Sequence, residues 1–478
     1  MISAFPTHNL LVLTGAGENW RKTIEVLPED VLLEIFDFYR LDAMEESEGR
    51  PWKWHRLAHV SRKWRHVVFG SPRRLDLRIL CEYGAPIGSI LASWPTLPLV
   101  AKFIANCKSK RIPRNVMVAL RRPDRLCEID LHVTSSMLAP IVEATQKQCQ
   151  KLESIRITVQ VFIGPSIQVG KAFLGGSAPH LREIKLDGIA FPFPSIQQVL
   201  LSTNNLVELY LAKIPNDAYF SPNDLVTGLS TAVQLKRLTV DFHSTASSLP
   251  PNITRPPPRR TTPLPSLMFL EFNGATAYIE EFVARIDLPA SCKLAIRLFN
   301  DNLFEIPQLF KLIARLNVLN SPAWALVRHT MDFVGVLFFQ EGRPLIENCF
   351  LGTSCRWLDQ QLSFVARILN QLSPLLSNAH SLGIQGDYSL LSGQPVTSTR
   401  WLEVLRPFTH VTQVYVRATH LLLGIAQALV AEDMTAEVLP ELALLHLKGY
   451  RNSLAAERAA EQFVARRKAS SRTVSLFH

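Results

Sequence analysis

Gly175-Gly176-Ser177-Ala178-Pro179 is the stretch nearest to a nucleophile turn, and it lacks the closing glycine that such a strand-to-helix turn needs. Leu10-Leu11-Val12-Leu13-Thr14-Gly15-Ala16-Gly17 resembles a strand entering a phosphate loop, but the third glycine is missing and no βαβ pattern comes after it. His55, His59 and His66 are close in sequence, yet they stand among Arg and Trp and read as surface histidines, not ligands. The seven cysteines are odd in number and form no CxxC pair. Cys349 and Cys355 are the nearest two, with no paired histidines beside them, so reduced and mostly buried thiols are expected in place of a zinc site. P-loop, HExxH and EF-hand spacings are all absent. The sequence therefore offers no catalytic residue, no metal site and no cofactor; an active site hidden in the least periodic stretch, 297–378, is the enzymatic alternative.

The elements that could position anything else fall into two groups. Pro28 opens the first, where a missing N–H is harmless in a first helical turn, and Glu29 and Asp30 meet the positive end of the helix dipole. Val31, Leu32, Ile35, Phe36 and Tyr39 then recur at helical spacing. A second apolar set, Leu57, Val60, Trp64, Val67 and Val68, repeats three or four apart until Ser71-Pro72 ends the helix. A unit this short cannot bury all of its apolar surface and needs a partner or a neighbouring domain.

The rest of the chain repeats. Leu126-x-x-Ile129-x-Leu131 is succeeded by matching triplets starting at Leu152, Leu181, Leu206, Leu235 and Leu267, spaced 26, 29, 25, 29 and 32 residues apart. The pattern returns at Ala379, Val411 and Leu442. A period in the twenties with L-x-x-L-x-L is the signature of a leucine-rich repeat. Each unit has a strand and a return segment, such as Ser136 to Gln150 or Pro194 to Ser202, and units must stack to cover their apolar faces. The usual Asn after each motif is not found. Helices are expected near Leu358–Leu372 and Ala455–Arg467, and a strand over Met331–Phe339. Residues 244–266, rich in Ser, Thr, Pro and Arg, read as a loop between two repeats.

The residues of the first group also carry a resemblance. Leu27-Pro28-Glu29-Asp30-Val31-Leu32-Leu33-Glu34-Ile35-Phe36, then Trp54 to Leu57, then Val60-Ser61-Arg62-Lys63-Trp64-Arg65, resembles an F-box. Two departures stand out: Ser61 where the family often has Cys, and a Glu-rich insert over 42–53. Val68 to Leu77 resembles the junction found in F-box proteins of mushroom-forming (basidiomycete) fungi. Arg125 to Ile129, Phe173 to Pro179 and Val283 to Asp287 extend that likeness. The resemblance implies docking on a Skp-type adaptor of a cullin–RING ubiquitin ligase, with Leu27, Pro28, Val31, Leu32, Ile35, Phe36, Val60 and Trp64 at the adaptor surface.

The expected architecture is α/β: a small helical F-box followed by a curved leucine-rich-repeat solenoid with a parallel sheet on its concave face. The boundaries are a flexible 1–23, the helical unit at 24–72, repeats over 73–467, and a tail at 468–478. Between the inward-pointing apolar positions, period-two alternation puts other side chains on the opposite sheet face. Tyr210, Arg237, Tyr415 and Arg417 are the candidates there for binding an unknown protein target. The 51 Lys and Arg against 41 Asp and Glu leave a net charge of +10. No aromatic-interleaved basic module accompanies the excess, so nucleic acid is not the expected partner, and acidic protein surfaces are at least as good a match. The N-terminus lacks a signal-peptide pattern and no apolar run reaches spanning length, so a cytoplasmic or nuclear protein is expected.

Overall fold

The computed structural model describes residues 26–46, 54–82, 87–94, 96–106, 109, 111–160, 172–190, 192–215, 218–243, 261–299, 305–316, 324–330, 333–339, 349–354, 358–377, 379–386, 398–417, 421–431, 438–448 and 454–477. The flexible start expected at 1–23 and most of the expected loop, 244–260, lie outside them.

Three helices come first: α1 (Glu29–Glu46), α2 (His55–Ala58) and α3 (Arg62–Gly70). Helix α1 runs on into the segment where the Glu-rich insert predicts a loop. Ser61 starts α3, its Oγ accepting a hydrogen bond from Trp64 N at 3.2 Å. The helices share a core with the start of the repeat region. Trp54 Nε1 donates to Arg78 O at 2.9 Å, and its ring meets Phe69 and Trp94 edge to face. Leu75 and Leu77, at the junction, are fully buried.

The strands are β1 (Ile79–Cys81), β2 (Leu99–Ile104), β3 (Leu126–Val133), β4 (Ser154–Val159), β5 (Glu183–Asp187), β6 (Glu208–Ile214) and β7 (Arg237–Phe242). Then come β8 (Thr262–Pro263), β9 (Phe269–Gly274), β10 (Ile286–Asp287), β11 (Lys293–Phe299), β12 (Trp324–His329), β13 (Phe333–Phe339) and β14 (Cys349–Ser354). The last four are β15 (Ser381–Gly386), β16 (Gln413–Arg417), β17 (Leu444–Leu447) and β18 (Ser475–Phe477). Sixteen of them form one sheet, in the order β1-β2-β3-β4-β5-β6-β7-β9-β11-β14-β13-β12-β15-β16-β17-β18. Its ladders are parallel except the two made by β13. Strands β8 and β10 pair separately.

The periodic leucines explain the sheet. In the units at Leu152, Leu181, Leu206, Leu235 and Leu267 the strand starts two residues after the first Leu. That Leu closes a tight turn, as in Leu181 N to Ala178 O at 3.1 Å and Leu235 N to Ala232 O at 3.1 Å. The next residue already bonds to the preceding unit: Arg182 N to Glu153 O, Val207 N to Arg182 O, Lys236 N to Val207 O. Main chain therefore satisfies the polar groups of the turn that leads into each strand. The other two motif positions alternate into the core, so Ile184, Leu186, Leu209, Leu211 and Leu238 are at most 1% exposed. Each such side chain contributes roughly 1.5–3 kcal/mol by leaving water. Return helices such as Leu138–Ala144, Phe193–Ser202 and Pro222–Gly228 cover that face.

Two expected boundaries are corrected. The final residues are no tail: Leu454–Ala469 is a helix, and the chain after it turns back as β18 to pair with β17. Arg467 anchors that end, buried and donating from Nη2 to Val438 O at 2.7 Å. The expected loop over 244–266 stops early, because Thr262-Pro263 pairs with Ile286-Asp287 and Leu264 is buried. Within the less periodic stretch 297–378, which the expected repeat region includes, β12, β13 and β14 fold as an antiparallel excursion between β11 and β15.

Candidate functional site

Two surfaces gather side chains that the fold does not use. One is on the helical module. Leu32 and Phe36, expected at the adaptor surface, are instead fully buried, with the Phe36 ring edge-on to Trp64 at 4.9 Å between centroids. Trp64 also packs inward, half-buried. These three hold the module together. Val31, Ile35 and Phe38, spaced four and three apart, lie on the other edge of α1 and are 38%, 41% and 71% exposed. Val60, 54% exposed, and Pro28 are also exposed on this module, and Leu27 is half-buried. Lys63 Nζ binds Leu27 O at 2.7 Å, tying the start of α1 to α3. Eleven large apolar residues are exposed among the described residues, and five of them, counting Val26, fall within 26–60. The unpaired apolar surface is concentrated here. Phe38 does not stand out in the sequence, although its position seven residues after Val31 is the available signal.

The other surface is the sheet face turned away from the return helices. Register fixes one row across it: Lys102, Asp130, Arg156, Lys185, Tyr210, Thr239, Glu271, Ala295, Phe350, Leu337, Leu326, Gly383, Tyr415, His446 and Phe477. Tyr210 and Tyr415 share this row but stand eight strands apart, about 38 Å at ordinary strand spacing. They do not form one site.

The N-terminal half of the face is charged and neutralises itself. Arg78 reaches Glu153 at 2.8 Å and Glu128 at 3.8 Å; Arg156 reaches Glu128 at 3.7 Å and, through Nε, Glu183 Oε1 at 2.8 Å. Lys185 bridges Glu183 at 2.8 Å and Glu208 at 3.2 Å, and Arg237 ends the series 3.8 Å from Glu208. Arg237 is thus already occupied, and it also stands over the Phe269 ring at 5.4 Å. Burial alone would raise the Glu183 carboxyl, but hydrogen bonds from Arg156 and Lys185 outweigh it and hold it at about 2. A carboxylate depressed in the folded state adds stability above its unfolded value and loses it as pH falls toward the folded one. We expect Glu183→Gln to lower stability at pH 7 by about 2 kcal/mol, after allowance for screening of the partly exposed Arg156. Urea midpoints measured from pH 5 to pH 2.5 should fall less steeply in the variant than in the parent; equal slopes would refute the assignment.

The C-terminal half is apolar and aromatic. Leu337, Phe339 and Phe350 form a small second core with Ala295, Trp324, Leu326 and Phe333 packed against it. From there the rings continue across the strands. Trp324 stacks on Tyr415 at 5.1 Å and 21°, Tyr415 on His446 at 4.5 Å and 7°, and His446 meets Phe477 at 5.0 Å. Trp324 and Tyr415 lie on β12 and β16, and they meet across β15 because Gly383 stands between them. A Cβ there would come 2.7 Å from Leu326 Cδ1. Sequence reasoning marks Tyr415 and Arg417 but misses their ring neighbours.

Among the described residues no thiol is activated. Cys81, Cys127, Cys292 and Cys349 are free, buried thiols pushed up to about 12 by burial, so they are not thiolates at neutral pH. Cys355 lies outside the described residues. Among the described residues no cluster of His, Cys, Asp and Glu could hold a metal ion, and no helix is long and apolar enough to cross a membrane.

These features define a repeat solenoid of mixed α/β type, built on a long, mostly parallel sheet and preceded by a helical module. No protein-family model and no curated protein matches the chain. Among solved structures, the leucine-rich repeat-containing protein LegL7 from Legionella pneumophila is similar over 81% of this chain and 97% of that chain, at 10% identity and a TM-score of 0.28. The repeat architecture itself rests on the strand register.

Proposed function

We propose that the protein is the substrate-recognition subunit of a Skp–cullin–F-box ubiquitin ligase. Its helical module binds a Skp-type adaptor, and its leucine-rich repeats hold a protein target on the open sheet face. The observation that carries this reading is the apolar edge of α1, Val31-Ile35-Phe38, left uncovered, with Pro28 and Val60 exposed on the same module. Such an edge, on helices whose sequence resembles an F-box, is suited to a helical partner. In this reading the chain does no chemistry. It raises the effective concentration of target near the ubiquitin-transfer machinery, in the cytoplasm or nucleus. A second reading, an adaptor-bound scaffold without a degradation role, shares the first interface and differs in outcome. Co-purification of the full chain with a Skp-type adaptor tests both readings. Cullin-dependent loss of a bound partner in cells separates them, and no adaptor binding would overturn both.

A further inference from the structure

The arginines of the open face divide as sharply as its other side chains. In the N-terminal half Arg78, Arg156 and Arg237 each have a carboxylate within 4 Å. In the C-terminal half Arg297, Arg328 and Arg417 are exposed, and none has a salt-bridging carboxylate among the described residues. Register places all three in one row: Arg297, Gly352, Gly335, Arg328, Gln385, Arg417. The two glycines are ladder partners, and a Cβ on either would come 2.6 Å from Phe350 Cζ. The Phe350 ring therefore lies over bare backbone, with Arg297 above it at 5.9 Å. The arginine row thus borders the apolar shelf of Phe333, Phe350, Leu326, Trp324 and Tyr415.

We infer that this part of the sheet, from β11 to β16, docks an extended acidic polypeptide segment whose carboxylates meet Arg297, Arg328 and Arg417 and whose apolar side chains rest on the shelf. The inference deepens the target-binding half of the proposed function. Charge complementarity selects the occupant: Arg297 already acts on Asp241, two strands away in the same row, and exposed guanidiniums with no carboxylate within 4 Å among the described residues prefer carboxylates, which they can grip with two parallel hydrogen bonds. Arg297 and Arg328 are three ladder steps apart and Arg328 and Arg417 two, about 14 and 10 Å. Because alternate side chains of an extended segment face opposite ways, at about 3.3 Å per residue its acids would stand about four and then two or four residues apart. A nucleic acid fits less well. The faces of Tyr415 are already taken by Trp324 and His446, so no base can stack on that ring, and the other half of the sheet carries Glu128, Glu183 and Glu208.

The test is selection of 12-residue peptides from a random phage library on the purified full chain, then fluorescence anisotropy with the strongest synthetic peptide. Enriched peptides should carry two or three Asp or Glu at the stated spacing with Leu, Phe or Trp between them. Arg297→Glu, Arg328→Glu and Arg417→Glu together should weaken the peptide at least thirtyfold. The same charge change at the distant exposed Arg121, Arg182 and Arg458 should leave it within twofold. The proposal is overturned if no peptide is enriched, if the enriched peptides are neutral or basic, or if the two triple variants behave alike. It is also overturned if binding requires phosphoserine in place of the acids, or if a 20-nucleotide RNA displaces the peptide more tightly than the peptide binds. The triple variant should still bind the adaptor. Loss of adaptor binding in the parent chain with peptide binding intact would sink the ligase reading and leave this surface standing.

Discussion

A chain carrying Ile35→Asp and Phe38→Asp should lose adaptor binding at least a hundredfold while melting at the temperature of the parent. Both side chains are exposed on α1, at 41% and 71%, so neither substitution opens a cavity. Covering an Ile or a Phe at an interface stabilises a complex by roughly 1.5–3 kcal/mol per side chain. A carboxylate put in its place adds the penalty of an unpaired charge leaving water. The two changes together exceed the roughly 2.7 kcal/mol that a hundredfold change requires. Acidic neighbours are already present in Glu34 and Asp37, whose contacts with Arg74 at 4.0 and 3.3 Å fasten α1 to the turn after α3. Solubility should therefore not suffer. Co-purification at stoichiometric yield by the doubly substituted chain would place the adaptor elsewhere, and a lowered melting temperature would mean that this edge of α1 supports the fold.

The repeat architecture is legible because its signal is redundant. Leu181, Ile184 and Leu186 repeat what Leu152, Ile155 and Ile157 already say, and each such triplet must face a covering segment. Strand β11 escapes because its turn is one residue shorter, giving Cys292-x-Leu294-x-Ile296 where β9 has Leu267-x-x-Leu270-x-Phe272. Strand β2 escapes for a related reason: β3 holds an extra residue, Cys127, opposite the step from Leu99 to Val100. The excursion through β12, β13 and β14 breaks the parallel rule, and no periodic count anticipates it. The apolar stripe of α1 reads in the sequence as one surface of Val31, Leu32, Ile35 and Phe36. Periodicity fixes the stripe but not which edge meets α3, and Trp64 decides that by packing on Phe36. The aromatic row from Trp324 to Phe477 has no linear signal, because it depends on Gly383 leaving space between strands that are close only in the folded sheet.

Phe36→Ala is the complementary substitution and should act through stability alone. Its side chain is fully buried and meets Trp64 at 4.9 Å, next to the fully buried Leu32. Emptying such a site costs about 3–5 kcal/mol, because a small module cannot collapse around the space. The module is also held to the start of the repeat region through Trp54, Leu75 and Leu77, which lie apart from Phe36 in sequence, so the loss should stay local. Helix α1 should come away while the sheet keeps its register. Amide hydrogen exchange is the measurement that separates these regions. Amides of α1 should exchange at least a hundredfold faster in Phe36→Ala, with β5, β6 and β7 unchanged. Phe36→Leu, which keeps most of the volume, should cost less than about 1.5 kcal/mol. Phe38→Ala, two positions along the same helix, should leave exchange as it was. If Phe36→Ala left the amides of α1 as protected as in the parent, Phe36 would not be the residue that holds the helix. The division of α1 into a buried edge and a binding edge would then be wrong.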